Sequence, residues 1–169
     1  MKEVFEGKSV SVVGNARSLF DKTYGQEIDN HDVVCRIKRG FYQLKSDAII
    51  SHGLKTDVWF LNWFKTMDPN KVTNKKVDHI VEILYNPEID EKWLIKDLGH
   101  HRPSTGLRIL HFISLYNPKS VSVYGFDWKK TPSFHDKQLI DERHNFVLEE
   151  DYCRRRFFEK QKDVYRLVK

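Results

Sequence analysis

The segment Ser9-Val10-Ser11-Val12-Val13 constrains this chain more than any other: a short apolar, β-branched run closed by Gly14. A run of this kind reads as a buried parallel strand ending in a tight turn. Further strands are expected at Val33–Ile37, Ala48–Ile50, Val58–Leu61 and His79–Leu84, the last stopped before Asn86-Pro87. From Leu107 the period changes. Leu107, Leu110, Phe112, Ile113 and Leu115 form a helical apolar face, with Ser104 or Thr105 as its cap and Asn117-Pro118 as its stop. Val121 to Phe126 returns to strand, and residues 145 to 163 again have helical spacing with many charges. Strands alternating with helices imply an α/β sandwich around a mostly parallel sheet. At 169 residues the chain fits one domain, residues 1–169, and its 40% hydrophobic and 31% charged content reads as globular.

The least ordered-looking stretches run from Thr66 to Lys76 and from Asp127 to Glu142. The second follows a strand end, where α/β sheets place their ligands, and is read as a lid. A net charge of +5 and a pI near 9.1 favour anionic partners without choosing among nucleotides, acidic sugars, anionic lipid surfaces and nucleic acids. Cys35 and Cys153 form no metal-binding pattern; they read as two unpaired thiols in a reducing compartment, with a single disulfide between them as the alternative. No apolar stretch has the length of a signal peptide or membrane span, so the expectation is a cytoplasmic protein.

Three constellations can carry chemistry. Gly14-Asn15 after the first strand lets backbone approach a ligand, and the Asn15 carboxamide can read a base, ribose or phosphate. Arg102-Pro103-Ser104-Thr105-Gly106 opens a helix with free amides, two hydroxyls and a glycine, a seat for phosphate. His144 to Glu149, with His135-Asp136 upstream, supplies histidines able to take a proton from a sugar hydroxyl. Positions five apart on a regular helix diverge by about 140°, so His144 and Glu149 meet only if His144 precedes the helix. Each constellation alone also reads as ordinary structure: a turn, a capped helix, a core histidine. Asp57 and Asp127 are isolated carboxylates, each a structural group or a sugar contact, and no metal ligand set is visible.

In this order the blocks resemble glycosyltransferase family 29, the sialyltransferases. Val12-Val13-Gly14-Asn15, Tyr24-Gly25-Gln26-Glu27-Ile28-Asp29-Asn30-His31-Asp32 and Arg36 look like the family's large motif, with a tail reaching His52-Gly53-Leu54-Lys55-Thr56-Asp57-Val58-Trp59-Phe60. Pro103 to Gly106, the apolar helix and Val121 to Phe126 look like the small motif, and His144 with Glu149 the very small one. The resemblance implies a Rossmann-like three-layer sandwich, a GT-A-like variant, and inverting transfer of an acidic sugar from a CMP-sugar to a glycan or glycolipid hydroxyl. It implies no cofactor and no metal. Gly14, Asn15, Arg36, Ser104, Thr105 and Gly106 would hold the nucleotide. His144 would be the general base, and His135 would assist the departing phosphate.

Three features depart from the family. Lys38 stands where many relatives carry Asn, and the bridging cysteines and anchor of animal relatives are absent, which suits a short soluble microbial or viral-type member. The basic stretch Arg154-Arg155-Arg156 through Lys169 is read as a solvated helix face or as a peripheral dock on the inner face of an anionic membrane. The same CMP-holding motifs also suit CMP-Kdo as donor. A non-catalytic nucleotide- or nucleic-acid-binding module is the rival from another class, although no nucleic-acid-binding signature is present and nucleic acid is not the expected partner.

Overall fold

The computed structural model describes residues 1–42, 48–62, 77–84, 86–89, 91–99, 101–134 and 143–169. Its apolar β-branched runs form the strands β1 (Ser9–Val13), β2 (Val33–Ile37), β3 (Val58–Leu61), β4 (His79–Glu82) and β5 (Ser120–Tyr124), joined by β6 (Tyr165–Val168). They make one sheet in the order β4-β3-β2-β1-β5-β6, with every neighbouring pair parallel. A parallel sheet buried on both faces needs apolar residues at successive positions, and β1, β2, β3 and β5 are buried along nearly their whole length.

Side-chain alternation sorts these residues between two layers. Val10, Val12, Cys35, Phe60 and Val123 face the first, built from α5 (Glu91–Asp97), α6 (Thr105–Ser114) and α7 (Phe146–Cys153). Leu94, Leu98, Leu107, Leu110, Phe112 and Ile113 fill it from the helix side. A buried side chain of this size contributes about 1.5–3 kcal/mol, so the α6 stripe is a main anchor of the layer. Val13, Val34 and Tyr124 face the other side, against Leu19 in a 3₁₀ turn (Arg17–Asp21) and Ile28 in α2 (Gly25–Asp29). The three layers agree with the Rossmann-like expectation.

The remaining helices are α1 (Lys2–Phe5), α3 (Arg39–Tyr42) and α4 (Ile49–His52). The last corrects the strand expected at Ala48–Ile50. Ile49 and Ile50 are 40% and 69% exposed, so their apolar character does not mark a sheet interior. The helix ends at Gly53 (φ +67°) and packs so closely on α2 that a Cβ at Gly25 would lie 1.9 Å from the Ile49 carbonyl oxygen. The helical spacing expected after Asn145 is present: α7 runs into a π-helical turn at Arg154–Glu159. Thr66 to Lys76 lies outside the described residues, and the expected lid, Asp127 to Glu142, is described only through Phe134.

Candidate functional site

The chain winds outward from β1 to β4, then returns to lay β5 on the other side of β1. Strand order therefore reverses between β1 and β5, and ligands of open α/β sheets bind outside the carboxyl ends at such a reversal. The two strand exits lie in contact there: Gly14 N donates to Tyr124 O (2.7 Å) and Ala16 N to Gly125 O (3.2 Å). A Cβ at Gly14 would stand 2.3 Å from Gly125 O, so only glycine permits this approach. The Phe126 ring lies between Gly14 and Gly106, whose added Cβ atoms would come within 2.7 and 2.5 Å of it. Above these residues opens a cleft of about 310 Å³.

Gly14, Asn15, Ser104, Thr105, Gly106 and His144 all line this cleft, so three distant stretches of sequence meet there. Asn15 Nδ2 donates to Ile37 O (3.3 Å), and Gly40 leaves the room its carboxamide fills. Asn15 Oδ1 is buried with no partner among the described residues, an arrangement that costs free energy until a donor arrives. Lys38, also lining, sits at φ +46°, a left-handed conformation that costs a non-glycine residue about 1 kcal/mol or more. Its amide donates to Phe60 O and its carbonyl accepts from Trp59 Nε1, both at 2.8 Å, which holds the turn in place.

Two helix starts form the opposite wall. Ser104 caps α6, its Oγ accepting from Leu107 N (3.3 Å), and the Thr105 and Gly106 amides fall in the first turn, where no intrahelical acceptor exists. Thr105 Oγ1 donates to Asn62 Oδ1 (2.8 Å). Glu149, 1% exposed, accepts from Ser104 N at 2.6 Å and so ties α7 to the start of α6. Burial pushes its carboxyl up to about 7, outweighing the Ser104 bonds and the Arg108 charge that pull it down. His144 lies just before the α7 cap, Asn145, which resolves the angular problem of the spacing: His144 and Glu149 both reach the cleft. Arg102 N donates to Arg143 O (3.1 Å), and His144 Nδ1 donates to Arg102 O (2.7 Å). A carbonyl accepts only from a protonated nitrogen, so the neutral ring carries its lone pair on Nε2.

The loop after β5 closes the third side. Asp127 accepts from Thr131 N (2.9 Å), Thr131 Oγ1 and Lys129 N (3.1 Å), so this carboxylate shapes the loop. Trp128 and Lys129 are both left-handed, at φ +52° and +63°. Phe134 N donates to Asn15 O (3.0 Å), and Ser133 bridges Ala16. Asp57 likewise supports backbone, accepting from Val34 N (2.7 Å).

Arg36 stands apart from the other expected nucleotide-binding residues. Strand alternation turns it to the Val34 side, away from Ile37, and it is absent from the cleft lining. Its Nε donates to Thr56 Oγ1 (2.8 Å) and Lys55 O (3.1 Å), and a terminal nitrogen donates to His52 O (2.8 Å). Burial lowers its pKa to about 10, so it stays cationic and knits α4 to the strand. The same burial, aided by the Arg36 charge, drops His52 to about 4 and keeps it neutral. His135 lies outside the described residues.

Cys35 and Cys153 are buried free thiols, and among the described residues no cluster of three His, Cys, Asp or Glu stands ready for a metal. Three of the basic carboxyl-terminal side chains pair with carboxylates: Arg154 with Glu150, Arg155 with Asp151, Arg166 with Glu27. No helix of the described residues is long and apolar enough to cross a membrane.

The model of the family described as Glycosyltransferase family 29 (sialyltransferase) matches residues 6–96. A mammalian sialyltransferase solved in complex with Gal-beta-1-3GalNAc-ortho-nitrophenol is similar over 99% of this chain and 71% of its own, at 19% identity and a TM-score of 0.65. A variant of the sialyltransferase CST-II in complex with CMP is similar over 95% of this chain and 81% of its own, at 15% identity and a TM-score of 0.64. CstII from Campylobacter jejuni, in complex with a substrate analogue, cytidine-5'-monophosphate, reaches a TM-score of 0.55 at 16% identity, over 96% of this chain and 80% of its own. At these identities the likeness is one of fold. No curated protein matches the sequence.

Proposed function

The chain belongs to glycosyltransferase family 29, the sialyltransferases, and on that premise we propose that it moves sialic acid from its CMP-activated form to a hydroxyl of a glycan or glycolipid, with inversion. The observation that carries this reading is the meeting of Gly14-Asn15, Ser104-Thr105-Gly106 and His144 at one cleft on the strand-order reversal. CMP lies across the exits of β1 and β5, a base or ribose donor completing the orphaned Asn15 Oδ1. Its phosphate faces the first turn of α6, where amides and the helix dipole favour negative charge.

As the bond from the anomeric carbon to the phosphate oxygen breaks, its electron pair leaves with CMP. Fixed amides stabilise that growing charge more than the ground state. The acceptor oxygen bonds the carbon from the opposite face and passes its proton to His144 Nε2, the nitrogen left basic by the Nδ1–H bond to Arg102 O. His135 is proposed to assist the departing phosphate. With amides and lysines on the phosphate side and Asp127 occupied by its own loop, no divalent cation is required.

The test is CMP release from CMP-sialic acid, run beside CMP-Kdo and in excess EDTA. His144→Ala should lose about a hundredfold or more in turnover, the scale of a lost general base, while CMP binding survives. Near-normal turnover in folded His144→Ala, or full loss in EDTA restored by manganese, overturns the mechanism.

A further inference from the structure

A second cavity, of about 350 Å³, opens beside the cleft on the same carboxyl edge of the sheet, across the exits of β5 and β6. The two hollows share one wall, Gly125 to Trp128. That wall is held in place, with the Phe126 ring lodged between Gly14 and Gly106 and Asp127 accepting from the Lys129 and Thr131 amides. Beyond it the cavity is lined by Leu19 of the 3₁₀ turn, by Tyr24, and by Leu167 and Val168 at the end of β6. Leu19 is buried, but Tyr24, Phe126, Trp128, Leu167 and Val168 are each only half-buried. Leu167 packs on the helical layer and Val168 on the opposite one, so the exit of β6 contributes apolar surface from both faces. The polar element is an ion pair, Lys130 Nζ to Glu150 Oε2 at 2.6 Å, which ties the shared loop to α7. A hollow of this size, mostly apolar and aromatic with a few polar groups, has the makeup of a ligand site.

We propose that this cavity is an aglycone subsite, which takes the apolar group attached to the acceptor sugar, an alkyl chain or an aromatic ring, while the sugar's hydroxyl faces His144 in the adjoining cleft. The inference rests on the reading of the cleft as the donor site and deepens it, selecting an acceptor with an apolar tail over a wholly polar glycan. Two observations carry it. The shared wall sets the occupants of the two hollows side by side, and the second hollow leaves apolar surface in water that an alkyl or aromatic group would cover. A fully hydroxylated occupant would instead lose its own hydration against Leu167 and Val168.

The experiment is calorimetric titration of octyl β-galactoside, methyl β-galactoside and 1-octanol, below the micelle threshold, into wild type, Val168→Trp and Leu167→Ser, each with and without saturating CMP. Thermal unfolding confirms that each variant folds. With CMP bound, wild type should take octyl galactoside about tenfold or more tightly than methyl galactoside. Val168→Trp fills the hollow and should abolish that preference with CMP affinity unchanged. Leu167→Ser leaves the hollow open but less apolar, so it should weaken the preference too, and it carries the test alone if Val168→Trp does not fold. Equal affinity for the two galactosides, or a preference that survives substitution, overturns the proposal. Octanol binding without octyl galactoside binding means an apolar pocket closed to the sugar, and octyl galactoside binding only without CMP places the chain in the nucleotide cleft; either result overturns it. Wild type that binds octyl galactoside but not CMP defeats the nucleotide reading of the cleft, and the aglycone role with it.

Discussion

Glu149→Gln should stabilise the protein at alkaline pH and leave it almost unchanged in acid. The carboxyl is 1% exposed, and burial raises it from an ordinary 4.5 to about 7. Near pH 4 the group is protonated in both folded and unfolded chains and contributes no difference. As pH rises through 4.5 the unfolded chain releases the proton, while the folded chain holds it until about 7. Folding therefore loses stability across this window, in the opposite sense to a salt-bridged carboxylate. By pH 8 the accumulated cost is roughly 3 kcal/mol, from the free energy equivalent of the displacement. Glutamine retains a carbonyl oxygen to accept from Ser104 N but has no charge to bury. Urea unfolding of both proteins at pH 4, 6 and 8 should give midpoints that coincide at pH 4 and diverge by pH 8, with the variant higher. Parallel pH curves, or a variant less stable than wild type at pH 8, would show that the carboxylate is held by more than the Ser104 amide and refute the reasoning.

Gly106→Ala gains about 1 kcal/mol of helix propensity but drives a methyl into a ring trapped against Gly14. Thermal unfolding should show no net gain and CMP affinity should fall; a higher Tm with unchanged CMP binding would mean that Phe126 moves aside freely. Arg36→Met leaves His52 O, Lys55 O and Thr56 Oγ1 without their buried donor, at a cost of about 3 kcal/mol or more. The protein that remains folded should bind CMP as wild type does, and a selective loss of CMP affinity would return Arg36 to the nucleotide site.

Much of this architecture is legible in the chain because its strands are β-branched runs that burial on both faces demands, and because α6 repeats apolar residues with helical period. Where apolarity and burial part company, the reading fails. Ile49-Ile50 looks like sheet interior yet sits on an exposed helical turn. Conversely, β6 hides behind Arg166 and its basic neighbours, since an edge strand can send a long side chain out to Glu27. The helix α5 was not among the expected elements, although Leu94 and Leu98, four apart after Glu91, carried a signal for it. In the site, Gly14, Asn15, Ser104 to Gly106 and His144 converge as expected, whereas Arg36 does not: a sequence block shows that a residue belongs to a strand, not which face it leaves from. Asp127 offered a readable clue, since an aspartate two residues before Lys129 and four before Thr131 suits a self-capped loop. The left-handed turns at Lys38, Trp128 and Lys129 had no counterpart in composition or spacing, because tertiary bonds impose them.

Because all six strands run the same way, every strand begins on the rim opposite the cleft. That rim is closed by short bonds between the turn after α1 and the turn before β5: Gly7 N to Asn117 O, and Lys119 N to Lys8 O. Lys8 and Lys119 are both exposed there. Coupling a surface, a dye or a carrier through them would present the working mouth outward, unobstructed, in every tethered molecule.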